Sequence, residues 1–298
     1  MIKSNLLDYL SENCIKFKTP VNTSNLVSFK VGGIGNMAIF PNSVLELCSI
    51  IRLIKTEKFV VLGKGTNCYF TDDFYDGIIV VTNNINSVFA ADNIIYAECG
   101  ASVNSVCNKA LEYNLSGLEF AYGIPGTVGG AIYMNASAFG GCFADVVLKS
   151  KVLDIDSGKV FEIENIEHEF NVKKSVFQKG NLFLLGSYFL LEHSKIDTIE
   201  QKMRELLQRR IDTQPLNLPS AGSTFVRPKN NHASRLIELA GLKGYTIGGA
   251  QVSTKHAGFI VNIGNATAKD VRELIMYIKK VVYDKFTIDL KEEILYLK

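Results

Sequence analysis

Tryptophan is absent from this 298-residue chain, and histidine and proline are scarce, at four and six residues. His168, His193, His232 and His256 have no partners at metal-ligand spacing, so no metal site is expected. The six cysteines (Cys14, Cys48, Cys68, Cys99, Cys107 and Cys142) form no C-x-x-C pair. That excludes the common zinc patterns and points to reduced thiols, buried as small hydrophobes in a cytoplasmic protein. Excess charge is missing as well: 32 basic and 30 acidic residues leave +2, scattered along the chain. Nucleic acid and anionic membranes are therefore not expected partners. No basic segment followed by an apolar run opens the chain, and no apolar stretch nears bilayer-spanning length, so neither leader nor membrane helix is expected.

What remains is an ordinary globular composition, 47% hydrophobic and 21% charged, with one anomaly. Between Tyr122 and Gly141 stand Gly123, Gly126, Gly129, Gly130, Gly140 and Gly141. With 24 glycines in the chain, a window of that length should hold only one or two. Apolar residues (Ile124, Val128, Ile132, Met134) thread the run, which a solvated linker does not need. Glycine lets backbone approach a ligand closely, so the segment reads as a binding loop. A second loop, Gly63, Lys64, Gly65, Thr66 and Asn67, directly follows the apolar strand Phe59 to Leu62. Consecutive N–H groups there can form an anion nest, although a tight strand-end turn explains it about equally well. The loop matches neither the dinucleotide fingerprint nor the P-loop. Together the two turns suit one long anionic ligand held between sub-domains.

Hydrophobic periodicity predicts helices over 2–16, 43–56 and 103–113, a long one after Asp197 as its cap, and one carrying Val271 to Val282. Strands are expected at 59–62, 78–81, 94–98, 182–191 and 294–297, with a hairpin across 146–163 turning at Asp156 to Gly158. The irregular alternation indicates α+β.

Five ordered blocks then carry a resemblance: Phe29 to Gly33, Val61 to Asn67, Pro219 to Phe225, Gly248 with Gly249, and Lys255 to Asn262. With Tyr122 to Gly141 they resemble the UDP-N-acetylenolpyruvoylglucosamine reductase (UDP-N-acetylmuramate dehydrogenase) family, in its shorter subtype without a tyrosine-bearing insertion. The resemblance implies a vanillyl-alcohol-oxidase-type FAD fold in two subdomains (1–85 and 86–195) plus a C-terminal α+β substrate-binding domain (196–298). It implies FAD as cofactor, NADPH as hydride-donating cosubstrate, and a UDP-sugar enolpyruvyl substrate in peptidoglycan precursor synthesis. Flavin contacts are expected from Gly32, Gly63 to Asn67, Tyr122 to Thr127, Gly129, Gly130, Ala131 and Asn135.

Ser223 aligns with the family's proton donor and Glu293 with its catalytic carboxylate, Glu292 remaining a rival by register. The family's Tyr-Arg pair falls on Val172 and Lys173, which keeps the positive charge but loses the planar fork and the hydroxyl. Phe139 and Cys142 depart too, standing where tyrosine and an acid are usual. Arg210 and Arg227 are candidates for the UDP diphosphate, a solvated helix end being as good a reading of Arg210. Lys255 and His256 could line the same pocket, although a packed, hydrogen-bonded histidine is the default for His256. The alternatives are a divergent paralogue that binds FAD or UDP-sugar with weak or no turnover, and another FAD oxidoreductase on this fold.

Overall fold

The computed structural model describes residues 4–298. Their contacts divide the chain into two units that interleave along the sequence. The first takes Met37–Lys64 and Gly77–Arg209 together with the N-terminal stretch through Thr19. The second takes Pro20–Asn36, Gly65–Asp76 and Arg210–Lys298.

In the first unit, one sheet runs in the order Lys16–Lys18, Ile34–Phe40, Tyr75–Val81, Phe59–Leu62. Phe59–Leu62 pairs in parallel with Ile78 to Val81, so the expected strand at 78–81 begins three residues earlier. Helix α1 (Ser4–Glu12) and α2 (Val44–Ile54) bury Leu6, Leu10, Leu47, Ile51 and Ile54 with this sheet. The helix expected over 2–16 stops early because Cys14 turns left-handed (φ 54°) and the Ile15 N–H closes back on the Leu10 carbonyl. Its first two expected residues lie outside the described residues. Ser43 caps α2 by accepting the Glu46 N–H.

A second, antiparallel sheet runs Val160–Glu164, Val147–Asp154, Leu182–Leu190, Ile94–Glu98, Val88–Ala91. The hairpin expected across 146–163 is its edge. Helix α3 (Val103–Glu112) packs against it, and so does the short α4 (Val128–Tyr133). Thus the glycine-rich segment is not irregular throughout: Thr127 supplies both backbone and side-chain acceptors to start a helical turn. Helix α5 (Ile196–Thr213) begins one residue before Asp197, which sits in the first turn rather than at the cap.

The second unit centres on a sheet ordered Ser220–Ser223, Phe259–Asn262, Ala250–Val252, Thr246–Ile247. Helices α6 (Ala233–Leu239) and α7 (Ala268–Phe286) cover it. Phe29, Val31 and Tyr69 enter the same core from earlier in the chain. Cys68–Phe70 pairs in parallel with Leu295–Leu297. Strands and helices are thus mixed without a repeating βα order, as α+β requires.

All six cysteines are free thiols, and Cys48, Cys68, Cys99 and Cys107 are buried. Burial pushes the Cys68, Cys99 and Cys107 thiols up to about 12, which keeps them protonated and inert. No helix among the described residues is long and apolar enough to cross a membrane.

His168 is fully buried in the first unit. Its Nε2 lies 2.7 Å from Ser150 Oγ, its Nδ1 lies 3.0 Å from the Glu164 carbonyl, and Phe170 stacks on the ring. Burial lowers its pKa below the usual 6.5, and burial lowers that of His256 in the second unit as well. Unfolding lets both rings take up protons that the folded protein refuses. Stability therefore falls as pH drops below about 6.5, the unfolded histidine value. Thermal melts at pH 7.5, 6.5 and 5.5 should show a steady decline; a flat or rising melting temperature would contradict the assignment.

Candidate flavin and substrate site

Gly63, at the start of one glycine-rich turn, meets Thr127 of the other inside the first unit. A Cβ on Gly63 would fall 2.0 Å from Thr127 Oγ1 and 2.8 Å from its Cγ2, so only glycine fits there. At Gly65 the backbone is left-handed (φ 59°) and a Cβ would fall 2.4 Å from the Leu26 carbonyl oxygen. These constraints fix the backbone around a run of main-chain donors. Among the described residues, the N–H groups of Gly63, Lys64, Gly65, Thr66 and Asn67 donate to no other group, nor do those of Gly126 and Thr127.

The flanking donors, in contrast, are occupied and hold the turn in shape. Gly123 N–H donates to Asn104 Oδ1 at 2.8 Å, and Ile124 N–H to the Ala121 carbonyl. Val128 and Gly129 donate to Ala101 and Cys99 at 2.8 and 2.7 Å. A pyrophosphate is an acceptor-only dianion and matches such donors. The residues present therefore fit FAD. Gly32, with φ at 151°, lies in the second unit, where a Cβ would meet Thr23 Oγ1 at 2.4 Å. Tyr122 and Ile124 pack partly buried against the first unit's core, and Ala131 is buried within it. Pro125 and Gly130 are exposed.

Asn135, expected among the flavin contacts, has its side chain engaged within its own unit. Only 8% exposed, its amide donates to the Asn171 carbonyl at 3.1 Å, and its Oδ1 accepts the Ala144 N–H at 3.0 Å. Both ends of the side chain thus tie the glycine-rich segment to its own unit. The bond to Asn171 anchors the turn that carries the departures from the family pattern. Asn171 and Lys174 exchange both backbone bonds at 3.1 Å, and between them Val172 is 65% exposed while Lys173 is left-handed (φ 58°). Phe139 is left-handed as well (φ 52°), at the tip of the Ser137–Ala138/Gly141–Cys142 hairpin, with the Arg209 guanidinium 5.2 Å over its ring.

In the second unit, Ser223 ends a strand whose pairing to Phe259–Asn262 is interrupted between Ser220 and Ser223. Gly222 is left-handed there (φ 76°), which bends the backbone and re-aims the serine, the usual consequence of a bulge. The next residue, Thr224, accepts the Glu293 N–H at 2.8 Å, so Ser223 and Glu293 lie on adjacent backbones although they are far apart in sequence. Asn67 joins them: its Nδ2 donates to the Glu293 carbonyl at 3.2 Å and its own carbonyl accepts the Leu295 N–H at 2.9 Å. Glu292, the rival, is ion-paired to Arg272 at 2.9 Å, with Lys279 at 3.8 Å.

The basic candidates divide. Arg210 is buried, 5% exposed, so it is not a solvated helix end; burial lowers its pKa, and a guanidinium remains charged regardless. Arg227 is exposed, with Nε 3.3 Å from the Asn231 carbonyl. Lys255 donates its ammonium to the Ile211 carbonyl at 2.5 Å, in the last turn of α5. His256 accepts the Gly258 N–H on Nδ1 at 3.1 Å and packs against Phe259, the arrangement of a neutral, structural ring. Among the described residues no cluster of histidine, cysteine or carboxylate could hold a metal ion.

Asn104 is not among the residues that the sequence singles out. Asn104 reaches Gly123 from nineteen residues away, and nothing in a helical Val103–Glu112 pattern distinguishes it from a solvated asparagine.

Residues 36–164 match the family described as FAD binding domain. Residues 214–297 match the family described as UDP-N-acetylenolpyruvoylglucosamine reductase, C-terminal domain. The UDP-N-acetylenolpyruvoylglucosamine reductase of Caldanaerobacter subterraneus is 44% identical over 291 residues, covering 97% of this chain and 95% of that protein. The protein of the same name from Clostridioides difficile is 42% identical over 294 residues, with 97% and 95% covered. The crystal structure of UDP-N-acetylenolpyruvylglucosamine reductase from Thermus caldophilus superposes with a TM-score of 0.82 at 28% identity, covering 95% of this chain and all of that one. With both of its domains matched and relatives aligned along nearly its whole length, the chain belongs to the UDP-N-acetylenolpyruvoylglucosamine reductase family.

Proposed function

We propose that this protein is an FAD-dependent, NADPH-driven reductase that converts UDP-N-acetylglucosamine enolpyruvate to UDP-N-acetylmuramate for peptidoglycan synthesis, in the cytoplasm. The observation that carries the reading is the set of undonated N–H groups at Gly63 to Asn67 and at Gly126 and Thr127, in a chain of this family. When bound, FAD supplies hydride transfer from NADPH to the enol-ether carbon, chemistry that no side chain provides.

The chain's own residues have three tasks. The main-chain donors hold the pyrophosphate, with glycine required at 63 because a side chain would displace Thr127. Ser223 Oγ–H delivers a proton to the substrate carbon adjacent to the carboxylate, a role in which placement compensates for a hydroxyl's weak acidity. Glu293 assists at that carboxylate, held in place through Thr224 and Asn67. Glu292 is ion-paired to Arg272, and the role of working acid is assigned to Glu293. Lys173 is assigned the electrostatic stabilisation of the negative charge that develops on the substrate. Arg210 and Arg227 serve the UDP diphosphate.

The test is NADPH oxidation by FAD-loaded protein with and without the enolpyruvyl substrate. Oxidation that depends on substrate and turns over at one per second or faster, on the order of ordinary enzymes, is the expected result. Tight FAD binding without that dependence would overturn the reading and favour the non-catalytic paralogue.

A further inference from the structure

The turn carrying Lys173 is held from two sides, and one holder is a residue with no assigned part in the reaction. Gln178 lies in the single turn Val176–Lys179 just beyond. Its Nε2 donates to the Tyr133 carbonyl at 3.0 Å and to the Lys173 carbonyl at 2.9 Å. A primary amide has two N–H donors, enough for these two carbonyls, and Met134 Sδ is a longer contact at 3.7 Å. Tyr133 is the last residue of α4, the helix that Thr127 starts. Ser175 Oγ donates to the same Tyr133 carbonyl at 2.8 Å, and Asn135 holds Asn171 from the other side. A left-handed lysine is strained by about 1–2 kcal/mol relative to a right-handed one, and does not keep that conformation unaided.

We propose that Gln178 is a positioning residue for substrate reduction: its amide ties the Lys173 backbone to the end of α4, and so fixes where the lysine charge stands relative to the flavin segment. The inference rests on the reading of Lys173 as the cation that stabilises developing negative charge. Gln178 is itself exposed, so its loss leaves the fold intact while freeing the turn.

The experiment separates the two half-reactions by stopped-flow absorbance of the FAD-loaded enzyme. Gln178→Leu should leave flavin bleaching by NADPH unchanged and slow re-oxidation by the enolpyruvyl substrate about threefold to tenfold, the effect of roughly one hydrogen bond. Gln178→Glu, which sets a carboxylate against two carbonyl oxygens, should slow it more. In a Lys173→Met background, Gln178→Leu should have no further effect, because the two act as one unit. Hydrogen exchange supplies a readout independent of turnover. The Lys174 amide, bonded to the Asn171 carbonyl, should exchange at least about threefold faster in Gln178→Leu at an unchanged melting temperature. If Lys173→Met does not slow re-oxidation, the reading of Lys173 fails. If it does but Gln178→Leu does not, or the two losses multiply, the positioning role alone is overturned.

Discussion

Replacing Gly63 with alanine is expected to yield a folded protein that emerges colourless and binds added FAD at least about 100-fold more weakly. The added Cβ would lie 2.0 Å from Thr127 Oγ1, far inside contact distance, and the next nearest atoms belong to the same side chain. Thr127 is 2% exposed and starts α4 through its carbonyl and hydroxyl, so it cannot swing aside cheaply. The loop must move instead, and overpacking of this kind costs about 1–3 kcal/mol. Once displaced, the N–H groups from Gly63 onward no longer converge. Losing two charge-assisted bonds at about 1.5 kcal/mol each gives the stated factor. Fluorescence titration of apoprotein with FAD measures it directly. Adding Thr127→Ala, which removes Oγ1 and Cγ2, should recover part of the affinity, less about 1 kcal/mol for the lost helix cap. A Gly63→Ala protein that retains stoichiometric FAD would show that the loop does not grip the cofactor.

Ser223→Ala is expected to slow substrate reduction by about 10²- to 10⁴-fold, the range for removing a positioned proton donor. Flavin bleaching by NADPH should keep its wild-type rate, because that half-reaction needs no proton at the substrate carbon. Stability should change by less than about 0.5 kcal/mol, since Ser223 is half-exposed. This split between chemistry and stability distinguishes a proton donor from a serine that merely closes a bulge. Stopped-flow measurement of both half-reactions and a denaturant melt supply the three numbers. Equal slowing of both half-reactions would point to disturbed flavin placement and remove Ser223 from the proton path.

Much of the architecture was legible because burial imposes periodicity. The apolar spacing of Leu47, Cys48, Ile51 and Ile54 in α2, and of Val271, Leu274, Ile275, Ile278 and Val282 in α7, is the face that each helix buries. Helix ends were harder. Asp197 falls inside the first turn of α5 instead of capping it, and Cys14 stops α1 by a left-handed turn that no glycine announces. Arg210 read equally well as a solvated helix end, and only its burial decides against that.

The candidate site divides along the same line. Glycines at 63 and 65 declare a local backbone requirement, and such requirements survive in a string of letters. Asn135, Asn104 and Gln178 do not: each is an ordinary amide in sequence, and each acts by reaching a distant backbone group.

By itself the chain of letters carried the α+β class and the two glycine turns, because steric allowance and apolar spacing are properties of neighbouring residues. The family, and the roles expected of Ser223 and Glu293, came instead from the resemblance of its ordered blocks. Only the tertiary structure decided that 20–36 and 65–76 join the C-terminal unit, and that Asn67 holds the Glu293 carbonyl from 226 positions away. Nor could anything local reveal that the Lys173 turn hangs on Asn135 and Gln178. Those pairings exist only after long loops close, and a polar side chain carries no mark of the partner it will find.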